Sequence, residues 1–168
     1  MKYEIDVISK TNRNGSRMER ERFDKFTLLI DGISKSVQSL KNKIAPRLGI
    51  KGVHVLWIYE LSTHDEGLTA AELAEKSRMN RSLISRENEF LLSEGYVSVH
   101  GGKGKNKAYN ATLKLTDKGR ELAERVRGEI LAIQDAVSAD ISESELANFY
   151  ETLKRLQENL DALNKNTN

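Results

Sequence analysis

Apolar residues recur along this chain in two rhythms. Phe23, Phe26, Leu29, Ile30, Ile33, Val37, Leu40 and Ile44 fall three and four positions apart, the stripe of a long amphipathic helix. Pro46 disfavours helical geometry at Ala45 and is expected to end it. A second helix is expected over residues 52–62, with Val53, Leu56, Trp57, Ile58 and Leu61, and His64-Asp65-Glu66-Gly67 reads as a loop. Two shorter helices follow. Thr69 opens the first with the spacing of a capping box, since Glu72 stands three residues on, and that helix ends near Ser77. Asn80 caps the second, which runs to Gly95, a residue free to take the left-handed conformation that commonly ends helices. Only Arg78 and Met79 lie between the two.

The period then drops to two. Val97 and Val99 share one face of a strand, and Tyr109, Ala111, Leu113 and Leu115 share one face of the next. Their connecting tip, Gly101-Gly102-Lys103-Gly104-Lys105-Asn106-Lys107, holds three lysines and no acid. Helical spacing returns after Thr116, a cap, with Leu122, Val126, Ile130, Ile133 and Val137, and stops near Asp140. Ser142 and Glu145 repeat the capping-box spacing and open a last helix carrying Leu146, Phe149, Tyr150, Leu153, Leu156, Leu160 and Leu163. The expected class is mainly α with a small β-hairpin.

Two short helices joined this tightly, the second with a polar face, outline a DNA-binding helix-turn-helix. At about 100° per residue Arg81, Ser82, Ser85, Arg86 and Glu89 share that face, opposite Leu83, Ile84, Phe90 and Leu91. Arginine can fork onto a guanine edge and serine can bond a base or a phosphate, so the face suits the major groove. The same residues also suit an ordinary amphipathic helix with solvated Arg and Ser. The tip after it favours the first reading, because Lys103, Lys105 and Lys107 can neutralise phosphates. A nucleotide-binding loop is disfavoured, since no Gly-x-x-x-x-Gly-Lys-Ser/Thr is present.

Charge is unevenly placed in these 168 residues, although the formal net charge is only +2. Residues 76–107 carry seven Lys or Arg against three Glu, whereas residues 121–168 carry five against ten acids. A basic module on an acidic scaffold presents one face to a polyanion. Cysteine is absent, which removes disulfides, thiol sensors and thiolate metal sites. No stretch has the length and apolarity of a membrane span, and the opening Met1-Lys2-Tyr3-Glu4-Ile5-Asp6 is too acidic for a signal peptide, so a cytoplasmic protein without membrane contact is expected. His54, His64 and His100 sit in no metal or nucleophile motif. His64 beside Asp65 reads as a solvated loop pair rather than a metal site, and neither an enzyme nor a cofactor is expected.

Leu68-Thr69-Ala70-Ala71-Glu72-Leu73-Ala74, Ser85-Arg86, Gly95-Tyr96-Val97 and Leu115-Thr116-Asp117-Lys118-Gly119 resemble the corresponding positions of the MarR family of bacterial transcriptional regulators. The resemblance covers residues 68–119 at motif level and, outside them, the order of helices. It implies a winged helix-turn-helix with N- and C-terminal helical dimerisation regions. On that reading residues 1–18 form a flexible arm, 19–66 the N-terminal helices, 67–116 the DNA-binding module and 117–168 the C-terminal helices. It further implies a homodimeric, sequence-specific regulator of double-stranded DNA, a repressor by family habit, on a palindromic operator. Arg81, Ser82, Ser85 and Arg86 would enter the major groove, and Lys103, Lys105 and Lys107 would meet backbone or minor groove. Family members also bind small aromatic or lipophilic effectors, for which His54, Trp57 and Tyr59, with Leu29 and Ile33 nearby, are the candidates here, although Trp57 and its neighbours equally suit a plain core.

The chain departs from the family in three places. Lys107, Ala108 and Tyr109 stand where a wing Asp and Arg are usual. Glu87 and Asn88 replace apolar residues of the second short helix, and Phe90 and Leu92 are apolar where charge is commoner. Glu87 falls within the apolar arc, which requires either a cationic partner or a rotated helix. A winged-helix module that binds protein rather than DNA is the alternative that the missing wing arginine supports.

Overall fold

The computed structural model describes residues 21, 22, 24–101 and 111–166. A π-helical turn, Asp24–Leu28, leads into α1, Leu29–Ile44. Pro46 ends the α-helix without breaking the helical path. Ala45 keeps right-handed helical geometry (φ −56°, ψ −44°), and the chain tightens into a 3-10 turn, Ala45–Leu48. Proline fits there because it lies in the first turn, where its missing N–H is not needed. Ala45 and Leu48 are both buried, so packing favours the turn over an extended exit.

Helix α2 spans Gly52–Ser62, then β1, Leu68–Thr69, precedes α3, Ala70–Ser77. The capping box at its start is formed. The Thr69 N–H donates to Glu72 Oε2 at 2.7 Å, and the Glu72 N–H donates to Thr69 Oγ1 at 3.2 Å. The Thr69 N–H bond, and after it the bond that Thr69 Oγ1 donates to the same oxygen, hold the Glu72 carboxyl below its ordinary value. Helix α4, Arg81–Ser93, starts at Asn80, whose Oδ1 accepts the Leu83 N–H at 2.8 Å. It stops two residues before Gly95, which takes φ 71°.

The sheet has three strands rather than two. β2, Val97–Gly101, and β3, Ala111–Leu115, pair antiparallel with Val97 opposite Leu115 and Gly101 opposite Ala111. β1 adds to the other edge of β3, Leu68 opposite Leu113. Central β3 therefore buries Leu113 and Leu115, whereas edge strand β2 buries Val97 alone. Val99, expected on the same inward face, is 52% exposed because β2 has already left the core. Two long helices complete the chain: α5, Asp117–Ser138, and α6, Glu143–Asn166. The expected caps are formed at both: Thr116 Oγ1 accepts the Gly119 N–H at 3.0 Å, and the Ser142 N–H donates to Glu145 Oε2 at 3.0 Å.

Among the described residues the buried apolar side chains all lie between Ile44 and Val126. Trp57, Ile58, Leu73, Ile84, Leu91 and Val126 form the centre, drawn from α2, α3, α4 and α5. None of the described helices is long and apolar enough to cross a membrane.

Candidate nucleic-acid interface

Helix α4 is set by which of its residues the core accepts. Ile84, Glu87, Asn88 and Leu91, at spacings of three and four, face inward and are buried. That arc fixes the opposite face outward. Ser82, Ser85, Arg86 and Glu89 are exposed, and the Arg86 side chain is 72% exposed. Arg81 is the first residue of the helix, but its side chain lies outside the described part. Lys103, Lys105 and Lys107 of the tip also lie outside the described residues.

Glu87 has the cationic partner that its position demands, and the helix is not rotated. Lys51 Nζ donates to Glu87 Oε2 at 2.7 Å, and His54 Nε2 lies 3.2 Å from the same oxygen. The Lys51 hydrogen bond is the main reason that the Glu87 carboxyl sits below its ordinary value, and the charges of Lys51 and His54 add to it. Burial pulls His54 down, while Glu87 pushes it up. Lys51 and His54, from α2 and its cap, are the residues that the sequence did not point to in this role. The signal was Glu87 itself, a carboxylate on an apolar arc.

His54 and Trp57 lie wholly inside, with ring centres 5.7 Å apart, and the Trp57 Nε1–H has no hydrogen-bond partner among the described residues. Tyr59 is 37% exposed on the outer side of α2, and Leu29 and Ile33 are exposed on α1. The candidate effector residues are thus split between core and surface rather than gathered on one opening.

The junction between α4 and the strands is held by Thr116 and Gly119. Thr116 Oγ1 donates to the Gly95 carbonyl at 2.7 Å while capping α5. A Cβ at Gly119 would overlap the Tyr96 carbonyl oxygen, so no larger residue fits there. Lys118 Nζ donates to the Glu94 carbonyl at 2.6 Å and lies 4.6 Å from the centre of the Tyr96 ring. These contacts are the physical content of the Leu-Thr-x-x-Gly spacing. They fix the end of α4 against the root of the hairpin.

The corner between α3 and α4 turns on Arg78, which takes the left-handed conformation (φ 54°). Its guanidinium forks onto Asp161 of α6, with Nη1 to Oδ1 at 3.2 Å and Nη2 to Oδ2 at 3.0 Å. That hydrogen bonding holds the Asp161 carboxyl below its usual range.

By sequence, neither a family model nor a curated protein matches the chain. By structure the likenesses are extensive. A MarR-family transcriptional regulator from Silicibacter pomeroyi superposes with a TM-score of 0.71 at 20% identity, over 89% of this chain and 96% of that one. A MarR-family regulator from Listeria monocytogenes, complexed with 26mer DNA, gives 0.72 at 20% identity, over 80% and 88%. CouR from Rhodococcus jostii RHA1, bound to p-coumaroyl-CoA, gives 0.69 at 17% identity, over 79% and 92%. The fold of this chain, two short helices and a three-stranded wing carried between long terminal helices, is that of the MarR-family transcriptional regulators.

Proposed function

We propose that the protein is a homodimeric transcriptional regulator that binds double-stranded DNA sequence-specifically, a repressor acting on a palindromic operator. The observation that carries this reading is the outward face of α4, where Ser82, Ser85 and Arg86 stand free of the core on the second helix of a winged helix-turn-helix. The sequence adds Lys103, Lys105 and Lys107, cations suited to the phosphate backbone. The DNA complex of the Listeria regulator supports the same use of this fold. Self-association is supported by the apolar residues that α1 and α6 leave uncovered, among them Leu29, Ile33, Val37, Leu153 and Leu163. Two copies would place two α4 helices about 34 Å apart, on successive major-groove faces. Release by a small aromatic or lipophilic effector is the regulatory part of the proposal, supported by the acyl-CoA complex of CouR.

The test is selection of bound duplexes from a random DNA pool, with non-specific competitor at near-physiological salt. A palindrome with half-sites one helical turn apart is the expected result. On that site Arg86→Ala is expected to cost about 1–3 kcal/mol and to relax the preference at one base pair. Binding without any enriched sequence, fading as salt rises, would replace this reading with a protein-interaction module.

A further inference from the structure

A carboxylate inside the core of a reader helix stands where an apolar side chain would pack at lower cost. Glu87 is 6% exposed, and its two oxygens have different neighbours. Oε2 faces α2, accepting from Lys51 Nζ at 2.7 Å and lying 3.2 Å from His54 Nε2. Oε1 lies 3.6 Å from Nε of Arg86. The Arg86 side chain is largely in solvent, so without a partner it would sample many rotamers.

The tautomer of His54 follows from its contacts. The Lys51 backbone N–H donates to His54 Nδ1 at 3.3 Å, so the ring proton sits on Nε2 and points to Glu87. The imidazole is stacked on Phe90, with ring centres 5.0 Å apart and planes 15° from parallel. Bonding at both nitrogens and stacking on one face leave it a single orientation. A continuous line of contacts thus runs from the cap of α2 through His54 and Glu87 to the guanidinium of Arg86.

We propose that Glu87 is a positioning residue for Arg86: its buried carboxylate, oriented by Lys51 and by the Nε2–H form of His54, holds the Arg86 guanidinium at one angle on the outward face of α4. This rests on the DNA-binding reading given above. The line of contacts is also sensitive to acid. A second ring proton must go to Nδ1, where it faces the Lys51 N–H and removes that bond. The charged groups acting on His54 are Glu87 from α4 and Lys51 from its own cap. Burial holds His54 below its ordinary value of 6.5, so the folded protein resists this proton until the pH is lower still. Stability contributed by neutral His54 is present above that ordinary value and is lost as pH falls below it.

Two measurements on the full chain test the proposal. The first needs no DNA: nitrogen-15 relaxation of the Arg86 Nε–H in wild type, Glu87→Gln and Glu87→Leu. Arg86 is expected to be ordered in wild type, to loosen in both variants, and to loosen in wild type as His54 titrates. The His54 midpoint is expected to fall in Glu87→Gln and to rise in Lys51→Met. An Arg86 signal equally mobile with and without Glu87 overturns the proposal. The second compares wild type, Glu87→Leu and Arg86→Ala on the random duplex pool. Glu87→Leu, which suits the apolar arc, is expected to keep non-specific binding and to lose about tenfold at the base pair where Arg86→Ala loses preference. Full retention of that preference in Glu87→Leu overturns the proposal as well. A wild type that selects no sequence removes the DNA reading, and the Arg86 relaxation then decides the positioning role alone.

Discussion

Among the described residues every buried apolar side chain lies between Ile44 and Val126, and most of the large apolar side chains outside those limits are exposed. The inner region has Trp57, Ile58, Leu73, Ile84 and Leu91 at or near zero exposure. The outer region has Phe26, Leu28, Leu29 and Val37 at one end and Val137, Phe149, Tyr150 and Leu163 at the other, all open to solvent. Helices α4 and α5 of the inner region have the same helical spacing of apolar residues as α1 and α6, so periodicity alone does not separate these helices; α2, apolar nearly all round, is the exception. The difference is the number of packing directions: α2 and α4 sit among several elements, whereas α1 buries only Ile44 and α6 buries none of its described residues. Periodicity shows that a face needs a cover without showing whose surface supplies it.

That contrast is sharpest when one leucine is replaced in each region. Leu91→Ala in the inner region is expected to lower stability by about 2–5 kcal/mol, read by denaturant unfolding, at any protein concentration. Leu153→Asp in the outer region is expected to leave that transition in place at high dilution and to weaken self-association by about 1.5–3 kcal/mol, read by sedimentation. Equal behaviour of the two would erase the distinction. Gly119→Ala is expected to cost about 1–3 kcal/mol in thermal unfolding, because the added methyl meets the Tyr96 carbonyl. The smallest change has the opposite sign. Asn88 is buried with no partner for its Oδ1 among the described residues, so Asn88→Leu is expected to stabilise by about 1 kcal/mol. A loss of stability there would mean that Asn88 contributes a bond worth more than its burial costs.

What the sequence made legible is local. Thr69 with Glu72, Asn80, Thr116 and Ser142 with Glu145 are caps built from residues three apart, and each is found at its helix start. What it hid depends on residues brought together from a distance. Leu68–Thr69 becomes a strand only because β3, more than forty positions later, offers an edge. Arg78 adopts a left-handed backbone without glycine, in a corner tied to a helix near the far end of the chain. The site divides in the same way. The outward set of Ser82, Ser85 and Arg86 follows from one helix wheel, while the partners of Glu87 come from a helix more than thirty residues earlier. His54 and Trp57 show the limit of residue type as a guide, since an imidazole and an indole serve a packed interior as readily as a pocket.

The fork between Arg78 and Asp161 has a consequence in time. Its partners stand 83 positions apart, whereas α3 and α4, which meet at Arg78, are neighbours in the chain. Synthesis proceeds from the N-terminus, so the corner emerges from the ribosome well before Asp161 has been added. Val126, the last buried apolar residue of the inner region, also precedes it. The corner between α3 and α4 and the whole buried core are therefore synthesised before Asp161, and the Arg78–Asp161 ion pair is among the last contacts that the growing chain can make.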